Sequence, residues 1–320
     1  MNESPIKKEP SRHGFGRGLV EAARIHHNVV GLCADLTEST RMKEFKEEFP
    51  DRFFEVGVAE QNMAAVASGL AASGFIPVIA SYAMFSPGRN WEQIRTTICY
   101  NNQPVIIAGH HTGLSVGSDG GSHQALEDIA LMRVLPNMRV VSPCDSVEAT
   151  QLMKLLVQNP KPSYMRLARS ETEILTQQSD AVDLSSNTIL YQSSNTAEVV
   201  IISTGVIGVE ARYAAQALAQ QGVSVALLNA RILKPFPVEQ LRFLMEQFGV
   251  TTIVTVEEHQ RNGGLGSIIA ELIADNGWSQ KLLRIGVDDQ FGQSGTVEEL
   301  YKAYGLDRDS LTEKIKGFIG

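Results

Sequence analysis

What this chain of 320 residues has little of already narrows its function. It has three cysteines, Cys33, Cys99 and Cys144, odd in number, widely spaced and never in a CxxC pair. That pattern argues against a disulfide framework and a structural zinc site, and a reduced, cytoplasmic setting is the expectation. Positive charge is in deficit: 28 Lys and Arg stand against 36 Asp and Glu, for a net charge of −8. No nucleic-acid surface is expected from such a balance. No apolar run reaches the length of a membrane span, and the polar opening MNESPIKKEPSRHG has no signal-peptide core, so no membrane association is expected. The string GxxxxGKS (or its Thr form) is absent, which removes a P-loop. HExxH is absent too, and the histidines His110, His111 and His123 have no cysteine nearby; no metal ligands are assigned.

What is there reads as a globular α/β chain. Apolar residues make up 43% and charged residues 20%, and the length suffices for two domains with a full core each. Short β-rich runs, Val29–Leu32, Phe53–Val56, Pro77–Ile79, Val105–Ala108 and Arg139–Val141, alternate with helical stretches, the first at Gly16–His26. Near-continuous apolar strands in βα alternation predict a parallel sheet covered on both faces. The polar stretch Thr176–Thr196 reads as a linker with one short strand at Ile189–Tyr191. A second α/β unit follows, with strands at Val199–Ser203, Val223–Asn229, Thr252–Val256 and Lys281–Gly286. The fold class expected is therefore α/β, two doubly wound domains over 1–178 and 197–320 joined by a linker at 179–196. GGLGS (Gly263–Ser267) lacks the full GxGxxG spacing and is read as a strand-to-helix turn.

Ligands of open parallel sheets bind beyond the carboxyl ends of the strands. Four segments with polar chemistry fall there. CADLTEST (Cys33–Thr40) is by itself an ordinary capping loop. In FFEVGVAEQNM (Phe53–Met63), Glu60 opens an Ala-rich helix directly after an apolar run. A carboxylate in a first helical turn is favoured by the macrodipole by about 0.3–1 kcal/mol, so its position alone implies nothing more. ASYAMFSPGRNWEQ (Ala80–Gln93) puts Tyr82 and Phe85 three apart, a spacing more often found in cores. GHHTGLSVGSDGGSHQALED (Gly109–Asp128) carries three histidines, Asp119 and five glycines, too much chemistry for a plain connector.

In order and spacing, GVAEQNM, SYAMF, GLSVGSDGGSHQALED, LPNMRVVSPCDSVEA and PSYMRLARS resemble the pyrimidine-binding domain of the transketolases, thiamine diphosphate enzymes. The region after about Ala197 resembles the family's C-terminal domain, so the likeness covers nearly the whole chain. The family's diphosphate-binding domain, with its GDG motif and Asn-rich segment, has no counterpart here; SDGG (Ser118–Gly121) belongs to the pyrimidine domain. The chain thus resembles the C-terminal subunit of a split transketolase. The implied partner is an N-terminal subunit holding the diphosphate and a Mg (or Ca) ion, in an assembly of two copies of each chain.

The resemblance also implies residue roles. Thiamine diphosphate reacts at C2 after its own aminopyrimidine removes a proton, which requires a proton on the far ring nitrogen. Glu60 occupies the family position that supplies it, and apolar surroundings are expected to strengthen that bond. Tyr82 and Phe85 align with aromatics that pack on the pyrimidine, while a third family aromatic is replaced by Gly88. Asp35 aligns with an acid near the cofactor. His123 aligns with a proton shuttle at the substrate carbonyl. Arg12, Ser39, His111 and Arg169 align with residues that bind the sugar phosphate, Asp119 with one that contacts a substrate hydroxyl, and Arg166 is a further cation on the same stretch. The expected activity is transfer of a two-carbon ketol unit between sugar phosphates. A β subunit of a 2-oxo acid dehydrogenase, a 1-deoxyxylulose-5-phosphate synthase-like enzyme and a non-catalytic regulatory subunit remain alternatives.

Overall fold

The computed structural model describes residues 7–320. The first part of the chain runs β1 (Lys8–Pro10), α1 (Ser11–Ile25), β2 (Val29–Cys33), α2 (Lys43–Glu48), β3 (Phe53–Glu55), α3 (Glu60–Ala72), β4 (Ile76–Tyr82), α4 (Trp91–Gln93), β5 (Ile106–His110), α5 (Asp128–Arg133), β6 (Arg139–Val141), α6 (Ser146–Gln158), β7 (Ser163–Arg166) and β8 (Glu171–Glu173). The second runs β9 (Thr188–Gln192), β10 (Val199–Thr204), α7 (Gly208–Gln220), β11 (Val225–Asn229), β12 (Ile232–Lys234), α8 (Val238–Phe248), β13 (Thr252–Gln260), α9 (Leu265–Asn276), β14 (Lys281–Val287), α10 (Val297–Tyr304) and α11 (Arg308–Ile319). Among the described residues no helix is long and apolar enough to cross a membrane.

The strands sort into two large sheets. The first has the order β12-β6-β7-β5-β4-β2-β3, the second β14-β13-β10-β11-β9, and β1 pairs with β8 apart from both. Every pairing within β2 to β7 is parallel, as their unbroken apolar runs require. Successive residues of a strand point to opposite faces, so Val78 and Ile106 enter one apolar cluster while Ile79 and Ile107 enter the other. The second of these clusters continues through Ile202, Leu228 and Ile253 into the other unit, so one core spans both.

The short strand expected at Ile189–Tyr191 is β9, which pairs antiparallel with β11 as an edge of the second sheet. Two features depart from the sequence expectation. Strand β12, from the second half, pairs antiparallel with β6 and completes the first sheet. And α1 starts at Ser11 rather than Gly16, which places Arg12 in its first turn. Helix α1 lies directly on α6: a Cβ on Gly14 would stand 1.9 Å from the Ser146 carbonyl oxygen, so only glycine permits that approach.

Candidate active site

Strands β2, β3, β4, β5 and β7 end on one edge of the first sheet. Just past those ends stand Asp35 and Ser39, then Glu60, then Tyr82 and Phe85, then His111, Asp119 and His123, then Arg169, with Arg12 brought in from α1. The parallel topology thus brings residues from positions 12 to 169 to one edge of the first sheet.

Glu60 opens α3 and is 1% exposed. Its surroundings differ from the apolar pocket expected of it. Phe54 and Val58 before it are 40% and 69% exposed, because β3 is an edge strand with an uncovered flank. The carboxylate has a cationic partner instead: Arg89 Nη1 donates to Oε2 at 2.9 Å. The same guanidinium lies over the Phe85 ring, 5.0 Å from its centroid. Asn90 Nδ2 donates to the Glu60 carbonyl at 3.0 Å and to Ser86 Oγ at 3.2 Å, which ties the helix start to the turn after β4. Glu60 Oε1 has no hydrogen-bond partner among the described residues.

Around this carboxylate the rings form a cluster. Tyr82 and Phe85 are near-parallel, with centroids 6.0 Å apart at 18°. His111 stacks on Tyr82 at 3.8 Å, and His123 meets both rings edge-on at 6.1 and 5.7 Å. His111 is buried, at φ +55, and its Nδ1 has no partner among the described residues. Burial above all, and then Arg12, Arg169 and His123, push its pKa down to about 3, so the ring is neutral at pH 7. Ser122 Oγ lies 2.9 Å from His123 Nδ1 and orients that ring.

Cations line the crevice beyond the rings. Arg12 Nη1 donates to the Ser39 carbonyl at 2.8 Å, and its buried Nε has no partner among the described residues. Burial, then the neighbouring Arg169 and Arg41, lower the Arg12 pKa from its ordinary value. Guanidinium groups held close enough to repel are stabilised by an anion between them. Arg169 Nη1 donates to the Val116 carbonyl at 2.7 Å and stands 3.7 Å from Asp119. Arg166 does not join them: it is buried, and its Nε donates to Asp128 at 2.9 Å. Asp35 is exposed at φ +58; its N–H donates to Glu55 Oε1 at 2.7 Å, and no hydrogen bond or ion pair joins it to the rings.

Two residues of the crevice, Arg89 and Arg41, were not singled out by sequence. Arg89 had a signal: it follows Gly88, where an aromatic is missing. Among the described residues no group of three or more His, Cys, Asp or Glu side chains is placed to hold a metal ion. The arrangement can hold a flat heteroaromatic ring. Stacked aromatic faces, a buried carboxylate with an unpartnered oxygen, and a buried imidazole nitrogen without a bond suit a ring that carries both donors and acceptors.

Residues 8–173 match the family model described as the transketolase pyrimidine-binding domain, and residues 190–311 the transketolase C-terminal domain. The chain is 40% identical to a putative transketolase C-terminal section from Methanocaldococcus jannaschii, over 95% of this chain and 94% of that one. It is 35% identical to a 1-deoxy-D-xylulose-5-phosphate synthase from Syntrophotalea carbinolica, over 95% of this chain but only 47% of that longer one. Among solved structures, one described as a split gene transketolase, inactive β4 tetramer, superposes with a TM-score of 0.85 at 34% identity, over 96% of this chain and 97% of that one.

Proposed function

The chain belongs to the thiamine diphosphate-dependent transketolase family, and from that premise we propose that it is the C-terminal subunit of a two-chain transketolase that moves a two-carbon ketol unit between sugar phosphates. The observation that carries the proposal is the pairing of a buried Glu60 and stacked rings with a cluster of guanidinium groups in one crevice. Thiamine diphosphate, when bound, supplies the carbon nucleophile and electron sink that ketol transfer needs.

The chain's own residues do the rest. Tyr82 and Phe85 hold the aminopyrimidine face to face, worth about 0.5–1.5 kcal/mol beyond area burial. The Glu60 carboxyl keeps a proton at the far ring nitrogen, with Arg89 fixing one of its oxygens. His111, neutral and with Nδ1 free to bond, and His123 line the reacting face, where His123 moves a proton at the substrate carbonyl oxygen. Arg12 and Arg169 bind the substrate phosphate, Ser39 orients Arg12, and Asp119 accepts a substrate hydroxyl. The diphosphate and its Mg (or Ca) ion fall to an N-terminal partner chain in a two-plus-two assembly. That the split-gene relative is described as an inactive β4 tetramer supports this division of labour.

Calorimetry and a ketol-transfer assay test the reading, on this chain alone and mixed with a diphosphate-binding chain. The expected result is weak cofactor binding and no turnover alone, and Mg-dependent tight binding with turnover of ketose phosphates in the mixture. Full activity of the isolated chain would refute it. The likeness to the synthase gives a second reading: consumption of a 2-oxo acid donor in preference to ketose phosphates would favour it.

A further inference from the structure

The loop between β5 and α5 carries Asp119 and His123, and Arg169 leans on it through the Val116 carbonyl. What holds that loop comes from the other unit. Glu258, on β13, is 1% exposed. Its Oε1 accepts the Ser115 N–H at 2.8 Å and its Oε2 accepts the Ser115 hydroxyl at 3.2 Å, across 143 positions of sequence. The backbone passes against the carboxylate itself: at Gly113, φ +75, a Cβ would stand 2.9 Å from Glu258 Cβ and 3.0 Å from Oε2. Farther along the loop, Gln124 Nε2 donates to the Gln293 carbonyl at 3.0 Å. Arg166 fixes the strand in turn, donating to the Glu258 carbonyl at 2.8 Å. Burial raises the Glu258 carboxyl pKa, while Arg166, Tyr301 and the two bonds to Ser115 oppose it. Those bonds lie where water does not compete, which strengthens them.

We propose that Glu258 is a positioning residue for substrate: it clamps Ser115, and through the Gly113–Asp119 segment it sets where Asp119 and Arg169 stand. Among the described residues it bonds Ser115 and makes no hydrogen bond to Tyr82, His111 or His123. The second unit is then a working part of the crevice rather than an appendage. The claim about substrate rests on the sugar-phosphate reading above; the claim about the clamp does not.

The test replaces Glu258→Gln, which keeps the shape and one acceptor, and separately Ser115→Ala, which leaves the carboxylate in place. Hydrogen exchange on the otherwise unchanged chain reads the clamp. Amides of residues 113–119 are expected to exchange about tenfold faster in Glu258→Gln, and less so in Ser115→Ala, with Ile253–Val256 of β13 unaffected. Exchange that rises equally across the second unit, or nowhere, overturns the clamp. In the assembled enzyme, KM for a phosphorylated donor is expected to rise about tenfold, with kcat and cofactor affinity held within about twofold. An equal fall in kcat for phosphorylated and unphosphorylated donors overturns the positioning role. If the unchanged enzyme uses no sugar phosphate at all, the proposed function fails, and the exchange result still decides the clamp.

Discussion

At the carboxyl edge of the first sheet, Tyr82, Phe85, Asp119, His123 and Arg169 all stay partly open to solvent around the buried Glu60. At the carboxyl end of β13 in the second sheet, Glu257, Glu258 and His259 are all fully enclosed. Each of those three has a structural partner. Glu257 accepts the N–H groups of Leu265 and Gly266 at the start of α9, at 2.7 and 2.8 Å. Glu258 holds Ser115, and His259 Nδ1 lies 2.7 Å from the Gln260 carbonyl. The architecture is the same, but the first edge leaves its charged and aromatic groups partly open, while the end of β13 encloses its three titratable groups and bonds each of them. Position at the end of a parallel strand is therefore a poor guide to chemistry by itself; what separates the two edges is whether the charged and aromatic groups stay open to a ligand or are enclosed by partners.

Substitutions on the two edges should behave differently, and the largest contrast is at Glu60. Glu60→Ala is predicted to slow C2 proton exchange of bound cofactor in the assembled enzyme by about 10²–10⁴-fold, with circular dichroism unchanged. Near-normal exchange would remove Glu60 from the chemistry and erase the contrast.

On the closed edge the effect should fall on stability. Burial pushes the Glu257 carboxyl from 4.5 up to about 7, against the helix N–H bonds that lower it. Below pH 4.5 folded and unfolded chains both hold that proton. Between 4.5 and about 7 only the folded chain does, and above that neither does. Stability from this group is thus present at low pH and lost as pH rises through about 7, by about 3 kcal/mol. Urea unfolding at about pH 5 and about pH 8 should show that loss in the natural chain and not in Glu257→Gln. Equal slopes in the two proteins would count against a protonated, purely structural Glu257.

Arg169→Ala should raise KM for phosphorylated substrates by about ten- to a hundredfold, the value of a charge-assisted bond, and affect unphosphorylated analogues far less. An equal loss on both would show that Arg169 does not face the phosphate. The smallest effect is a control away from both edges. Asp307 caps α11 through the N–H groups of Asp309 and Ser310, and Asp307→Ala should cost about 1 kcal/mol of stability without changing activity. A change in KM would mean that the second unit acts on the crevice through its whole body, not through one edge.

Much of this was readable in the chain, and the failures share a cause. Arg139–Val141 is a strand with the bounds its β-branched run suggests, and the parallel core of the first sheet follows from runs such as Val29–Cys33. Local pattern carried those. It misled at Phe53–Val56, where an apolar run suggested a strand covered on both faces but the strand Phe53–Glu55 lies at the sheet edge with Phe54 exposed. It was silent on β12, a short run ending before a proline, whose partner lies some ninety positions earlier. Within the crevice, residue types and spacing alone favoured a helix-start charge and core aromatics; the family resemblance pointed to the rings and to Glu60. Glu258 was invisible because its importance comes from a pairing across 143 positions, which no local periodicity records, and Arg89, paired across 29, was marked only by the missing aromatic beside it at Gly88.

The strand β12 has a consequence for how the chain can be taken apart. A protease acting on the polar stretch around Ser185 would cut a covalent connection but not a mechanical one. Ile232–Lys234 would remain laced into the first sheet beside β6, and Glu258 would remain bonded to Ser115. The nicked halves should therefore travel together on a sizing column and come apart only in denaturant. The first half produced by itself would carry a raw β6 edge, a template for pairing with other copies, and should precipitate.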